Sequence, residues 1–121
     1  MTAITRAPSA TPFSRRAARI NVRVARRLGW KRDDILVFED DGRWTVNVAG
    51  RRFDVFTDRK LCRTLGNTFH AKVRERDTKA FGHLFSVKVP GSTPSEFCET
   101  APEALARAII ATPRPLLRTF F

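Results

Sequence analysis

The dipeptide Asp41-Gly42 restricts what this chain can become more than any other pair of residues in it. An apolar run, Ile35-Leu36-Val37-Phe38, precedes it, and after it Trp44, Val46 and Val48 alternate with Arg43, Thr45 and Asn47. A two-residue turn between right-twisted strands needs positive φ at both central residues, and Asp-Gly adopts that geometry with little strain. Alternation with period two puts one row of side chains on a core and the other in solvent. The signals together predict an antiparallel hairpin. Ala49-Gly50 makes a second turn and Arg51 to Phe56 a third strand, so the fold includes a sheet that needs covering.

Helices supply the cover. Ser14 can cap a helix running from about Arg15 to Leu28, with Gly29 at its end. Thr57-Asp58 opens a short helix through about Leu65, and Gly66 stops it. Phe69, Ala71 and Val73 then alternate with His70, Lys72 and Arg74. A polar turn, Asp77 to Ala80, leads to a strand with Phe85, Val87 and Val89 on one face, ended by Pro90-Gly91. Gly91 to Cys98 reads as loop. Thr100-Ala101-Pro102-Glu103 fits a capping box, in which the Thr hydroxyl and the Glu carboxylate satisfy free backbone N–H groups. Ala104, Leu105, Ala108 and Ile109 form the buried stripe of that helix, and Pro113 and Pro115 end it.

The expected architecture is one small α+β domain over residues 14–112, a largely antiparallel sheet covered by helices, in the order α-β-β-β-α-β-β-α. Residues 1–13 form a flexible leader and 113–121 a tail, apolar at Leu116-Leu117 and Phe120-Phe121, that either tucks into the core or marks a partner surface. A chain of 121 residues suits one domain, and its ten Phe suffice for one core. No apolar run approaches the ~18 residues that span a bilayer, so no membrane association is expected. Two cysteines, Cys62 and Cys98, are too few for a disulfide framework and suit a reducing compartment.

The net charge of +11 is unevenly placed. Residues 1–32 hold nine Lys/Arg and no acid, whereas the remainder holds fourteen Lys/Arg against twelve acids, so the positive field belongs to the first segment. At about 100° per residue, Arg15, Arg16, Arg19, Arg23, Arg26 and Arg27 share one arc of roughly 120° on the first helix. Ala17, Ile20, Val24 and Leu28 form the adjacent apolar stripe, and Val22 is an exception near the basic side. Lys31 and Arg32 follow the helix. Arginines on one face suit a phosphate backbone, since each phosphate neutralised releases condensed counterions. Six such contacts would weaken binding about a thousandfold between 50 and 200 mM salt. The same face could meet an acidic protein or only water. No aromatic residue interleaves the arginines within the helix, so base stacking is not indicated. Val24-Ala25-Arg26-Arg27-Leu28-Gly29-Trp30 looks like the turn of a helix-turn-helix, but Asp34 to Glu39 is strand-like and too short for a recognition helix.

Catalytic chemistry finds little to stand on. Cys62 and Cys98 are far apart, no Cys-x-x-Cys or His-x-x-x-His occurs, and no metal site is expected. His70 shares a strand face with Lys72 and Arg74, and His83 one with Phe85 and Val87, so strand parity turns the two histidines to opposite sides. The cluster Glu39-Asp40-Asp41 abuts Gly42 and is explained by the turn. Asp58 complements a helix dipole. No base stands near Cys62 in sequence, and a buried inert thiol is the simpler account. Neither a Gly-rich phosphate loop nor Gly-x-Ser-x-Gly is present. No enzyme activity and no cofactor are expected.

Three landmarks fall in order: Asn21-x-x-Val24-Ala25-x-x-Leu28-Gly29-Trp30, then Phe56-Thr57-Asp58, then Thr100-Ala101-Pro102-Glu103-Ala104-Leu105. Their order and spacing resemble the phage ABA-sandwich proteins over roughly residues 20–112. The resemblance implies a phage or prophage origin and an α-β-α layered fold, and no catalytic residues. The heavily basic first helix and the longer hairpin region at 35–56 depart from that family. The first 30 residues also fit a mitochondrial presequence, being rich in Arg, Ser and Ala and free of acids, but the landmarks begin inside that segment, at Asn21. The expected function is that of a non-enzymatic accessory protein acting by binding in the bacterial host cytoplasm. Its Arg face would meet nucleic acid or a host nucleoprotein complex such as a defence assembly. The alternative is a structural virion or assembly protein with a basic docking arm.

Overall fold

The hairpin forms as the turn chemistry requires. In the computed structural model, which describes residues 9–112, β1 (Ile35–Asp40) and β2 (Arg43–Val48) pair antiparallel from Ile35↔Val48 to Asp40↔Arg43. Asp41 and Gly42 both take positive φ, 53° and 79°. Ala49 and Gly50 repeat this geometry, at 50° and 80°, and lead into β3 (Arg51–Arg52). The third strand is thus two residues long and stops short of the expected Phe56. Asp54 ends it: its carboxylate accepts from the Phe56 N–H at 3.0 Å and the Thr57 hydroxyl at 2.6 Å, which curls the chain away from the ladder.

Helix α1 (Arg15–Arg27) begins at Ser14, whose hydroxyl accepts from the Ala17 N–H. It ends in a Schellman turn, with Gly29 at φ 103°, its N–H on the Arg26 carbonyl and the Trp30 N–H on the Ala25 carbonyl. Helix α2 (Arg59–Thr68) is capped by Asp58, which accepts from the Leu61 N–H. Gly66 lies inside α2 and does not stop it. The left-handed residue that terminates the helix is His70, at φ 53°, and the strand expected from Phe69 starts later, at Lys72. Leu65 and Phe69 are both buried, so continuing the helix keeps two large apolar side chains on the core, which outweighs the weak helix preference of one glycine.

β4 (Lys72–Thr78) and β5 (Gly82–Lys88) form the second hairpin, and α3 (Ala101–Ile110) closes the domain. The element order is the expected one, a small α+β domain. The strands divide into a three-stranded sheet, β1-β2-β3, and a two-stranded sheet, β4-β5. α1 packs on β2, α3 packs on β5, and the two helices pack on each other. Val24, Val46, Val55, Val87 and Ile109 meet in the shared core.

Residues 9–13, assigned from sequence to the leader, are tied to the domain. Ala10 is buried, and its N–H donates to Glu103 Oε1 at 2.9 Å. Glu103 is therefore only half of a capping box. Thr100 accepts from the Glu103 N–H, but the carboxylate serves Ala10 across the fold and pairs with Arg107 Nε at 3.0 Å. Residues 1–8 of the leader and the tail 113–121 lie outside the described residues.

Candidate anion-binding face and the groove beside it

The side of α1 opposite the core carries Arg15, Arg16, Arg19, Arg23 and Arg26, all exposed. Among the described residues none of the five forms an ion pair. The first turn holds no acid and two arginines, against the positive end of the helix dipole. An acid there would stabilise the helix by about 0.3–1 kcal/mol, and a cation opposes it by a similar amount. The helix dipole therefore does not favour Arg15 and Arg16 at these positions.

Arg27 departs from the expected set. Its Nη2 donates to the Ile110 carbonyl at 2.9 Å, at the end of α3, and its side chain is half-buried. It stands at the edge of the basic arc next to the Ile20–Val24 stripe, where α3 packs, and so it joins two helices. Lys31 and Arg32 are exposed but have left the helix. Lys31 precedes and Arg32 opens a 3-10 turn, Arg32–Asp34, whose Asp33 and Asp34 bring the net charge of the four residues to zero.

Arginines of α1 and of the first sheet meet aromatic rings in a way that the sequence of α1 alone does not reveal. The Arg15 guanidinium lies 5.7 Å from the Trp44 ring centre. Phe13 lies between Arg43, at 3.7 Å, and Arg52, at 5.1 Å, while its carbonyl accepts from the Trp44 N–H. Among the described residues, Arg15 is thus the α1 arginine that meets an aromatic ring, and that ring comes from β2; Phe13 meets arginines on the other face of the sheet. The alternation in the hairpin put Arg43 and Trp44 on opposite faces, but nothing local said that α1 would lie over Trp44.

Val22, the apolar residue out of place on the helical wheel, now has a partner surface. With Ala18, Val37 and Trp44 it floors an open groove of about 370 Å³, rimmed by Arg15, Arg19 and Arg23. That volume is at the small end of ligand-sized pockets.

The nucleophile and metal candidates are not brought together. Cys98 is fully buried, and burial, aided by the Glu103 carboxylate, pushes its pKa up to about 12. Cys62 is half-buried, and burial first, then Asp58, raises its pKa. Neither thiol ionises readily near neutrality. Cys62 faces a cleft of about 400 Å³ between α2 and α3, and no histidine lines it. His70 sits in the turn after α2, so strand parity does not apply to it. His83, on β5, bonds Asp77 through Nδ1 and meets Glu75 at 3.3 Å through Nε2. Among the described residues no three His, Cys, Asp or Glu cluster as metal ligands would. Glu39 accepts from the Gly42 N–H at 2.9 Å, as a turn residue does.

Asp54 was not singled out from sequence, and Asn21 was noted only as the first residue of a landmark. Asn21 Nδ2 donates to Asp54 Oδ1 at 3.3 Å, and Asn21 Oδ1 accepts from the Val55 N–H at 2.9 Å. This buried network locks α1 to the loop that opens α2. Among the described residues no helix is long and apolar enough to cross a membrane. No family model, curated protein or solved structure matches the chain.

Proposed function

We propose that this is a non-enzymatic binding protein whose arginine face on α1 meets the phosphate backbone of nucleic acid, free or within a host nucleoprotein complex. One observation carries the reading: five exposed arginines on one helix face with no ion-pair partner among the described residues, two of them opposing the helix dipole. The resemblance of the landmarks to phage sandwich proteins supports a phage or prophage accessory role, with occlusion of the target as the mechanism. The test is equilibrium binding of a duplex at about 50 mM salt. The wild type should bind, and replacing Arg15, Arg16, Arg19, Arg23 and Arg26 together by Gln should abolish binding with the circular dichroism spectrum unchanged. No binding by the wild type at that salt overturns the reading.

A second reading, a structural assembly protein, is favoured by the exposed Leu36 and Phe38 on the outer face of edge strand β1. Concentration-dependent assembly that survives replacement of the five arginines would support it over the first.

A further inference from the structure

Val37 and Val46 are cross-strand partners on the same face of the sheet, yet Val46 is 1% exposed and Val37 46%. The difference arises because α1 packs chiefly on β2 and reaches little of β1. On one flank of α1, Arg27 reaches α3. On the other, past Val22, no described element covers the inner face of β1 at Val37, and the groove opens there. Packed helices lie about 8–10 Å apart and strands about 4.8 Å apart. An element laid beside α1 on the Val22 flank would therefore cover Val37.

We propose that this groove docks an acidic amphipathic helix of a protein partner. The floor, Ala18, Val22, Val37 and Trp44, is mainly aliphatic and takes aliphatic side chains. The rim residues Arg15, Arg19 and Arg23 are four apart, so they climb the groove in steps of about 6 Å. Carboxylates at i, i+4 and i+8 of a facing helix climb by the same step, so the two rows match along their length. A helix in an apolar groove held by flanking charges is a recurring mode of recognition.

Among the described residues, no helix of a second copy fits. α1 and α2 contain no acidic residue, and the one acid of α3, Glu103, is buried and engaged. Single-stranded nucleic acid fits less well, because a base would find mostly aliphatic floor and one aromatic ring that Arg15 already approaches. The inference does not depend on nucleic-acid binding. Arg16 and Arg26 lie outside the groove lining and remain available to phosphate.

The probe is a synthetic four-turn helical peptide with Leu along one stripe and Glu along its flank, labelled for fluorescence anisotropy. It should bind the full chain and weaken with salt. A version with Lys for Glu, and one with the Leu positions scrambled, should not bind. Val37→Asp, which sets a like charge against the peptide's carboxylates, should cost about tenfold or more in affinity while leaving duplex binding intact. Arg16→Gln with Arg26→Gln should do the reverse. Reversing Arg15, Arg19 and Arg23 to Glu should transfer binding to the Lys peptide, which tests the charge match without touching the floor. Equal binding of Glu and scrambled peptides overturns the proposal. So does Val37-dependent binding of a single-stranded oligonucleotide, or Val37-dependent self-association.

Discussion

Arg26 and Arg27 are neighbours on one helix, and the structure gives them different work, so replacing each by Gln tests the assignment of the whole face. The Arg27 bond to the Ile110 carbonyl is a hydrogen bond from a charged donor. Such a bond contributes about 1.5–3 kcal/mol net when well shielded. Here the side chain is half-buried and the carbonyl belongs to the last turn of α3, so screening brings the expected loss to about 1–2 kcal/mol. For a chain of this size each kcal/mol lowers the melting temperature by about 4 °C. Arg26 is exposed with no such contact, and its removal should stay within about 0.5 kcal/mol. Duplex binding should respond the other way round. Five phosphate contacts give a slope of log K against log salt near −4.5, and Arg26→Gln should reduce its magnitude by about 0.9. Arg27→Gln should leave the slope unchanged. Thermal melts of both variants, with binding titrations at several salt concentrations, read both quantities. Equal losses of stability in the two variants, or a slope flattened as much by Arg27→Gln as by Arg26→Gln, would rule out this division between Arg26 and Arg27.

Three further outcomes follow from the core and the second hairpin. Glu103→Ala orphans the buried Ala10 N–H and removes the carboxylate from Arg107, and should cost about 2–4 kcal/mol in urea unfolding; a loss below about 0.5 kcal/mol would show that the entry segment is not held there. Asp77, first by its hydrogen bond and then by its charge, and Glu75 raise the His83 pKa above the ordinary 6.5. The protonated ring therefore supports the β4–β5 hairpin fully below that value, and the support fades as pH rises through the raised folded value; proton NMR titration of wild type and Asp77→Asn should show the pKa fall in the variant. Cys98, fully buried with a pKa of about 12, should resist iodoacetamide in the folded protein at mildly alkaline pH and react after denaturation, and rapid labelling of the native protein would contradict its burial.

Much of the backbone was legible because the signals were local. Asp41-Gly42 and Ala49-Gly50 impose positive φ on a two-residue turn whatever surrounds them. Ser14, Gly29, Asp58 and Thr100 act on N–H or C=O groups within one helical turn. Where local preference competed with burial, the sequence misled. Gly66 reads as a stop, yet Leu65 and Phe69 anchor the helix on both sides of it, and His70 takes the left-handed role. Arg51 to Phe56 reads as a strand, but the Asp54 carboxylate closes a turn and, through Asn21, ties that turn to α1.

The candidate site divides the same way. Periodicity alone determined that arginines share one face of a single helix, since angular position on a helix depends only on residue number. Which arginines are free depends on what packs beside the helix. The tertiary structure decided that Arg27 belongs to α3. It also decided that Trp44 and Val37, from strands distant along the chain, adjoin Val22 to make a groove. Those contacts arise from where two independently specified elements stack, and side-chain spacing within either element carries no information about the other.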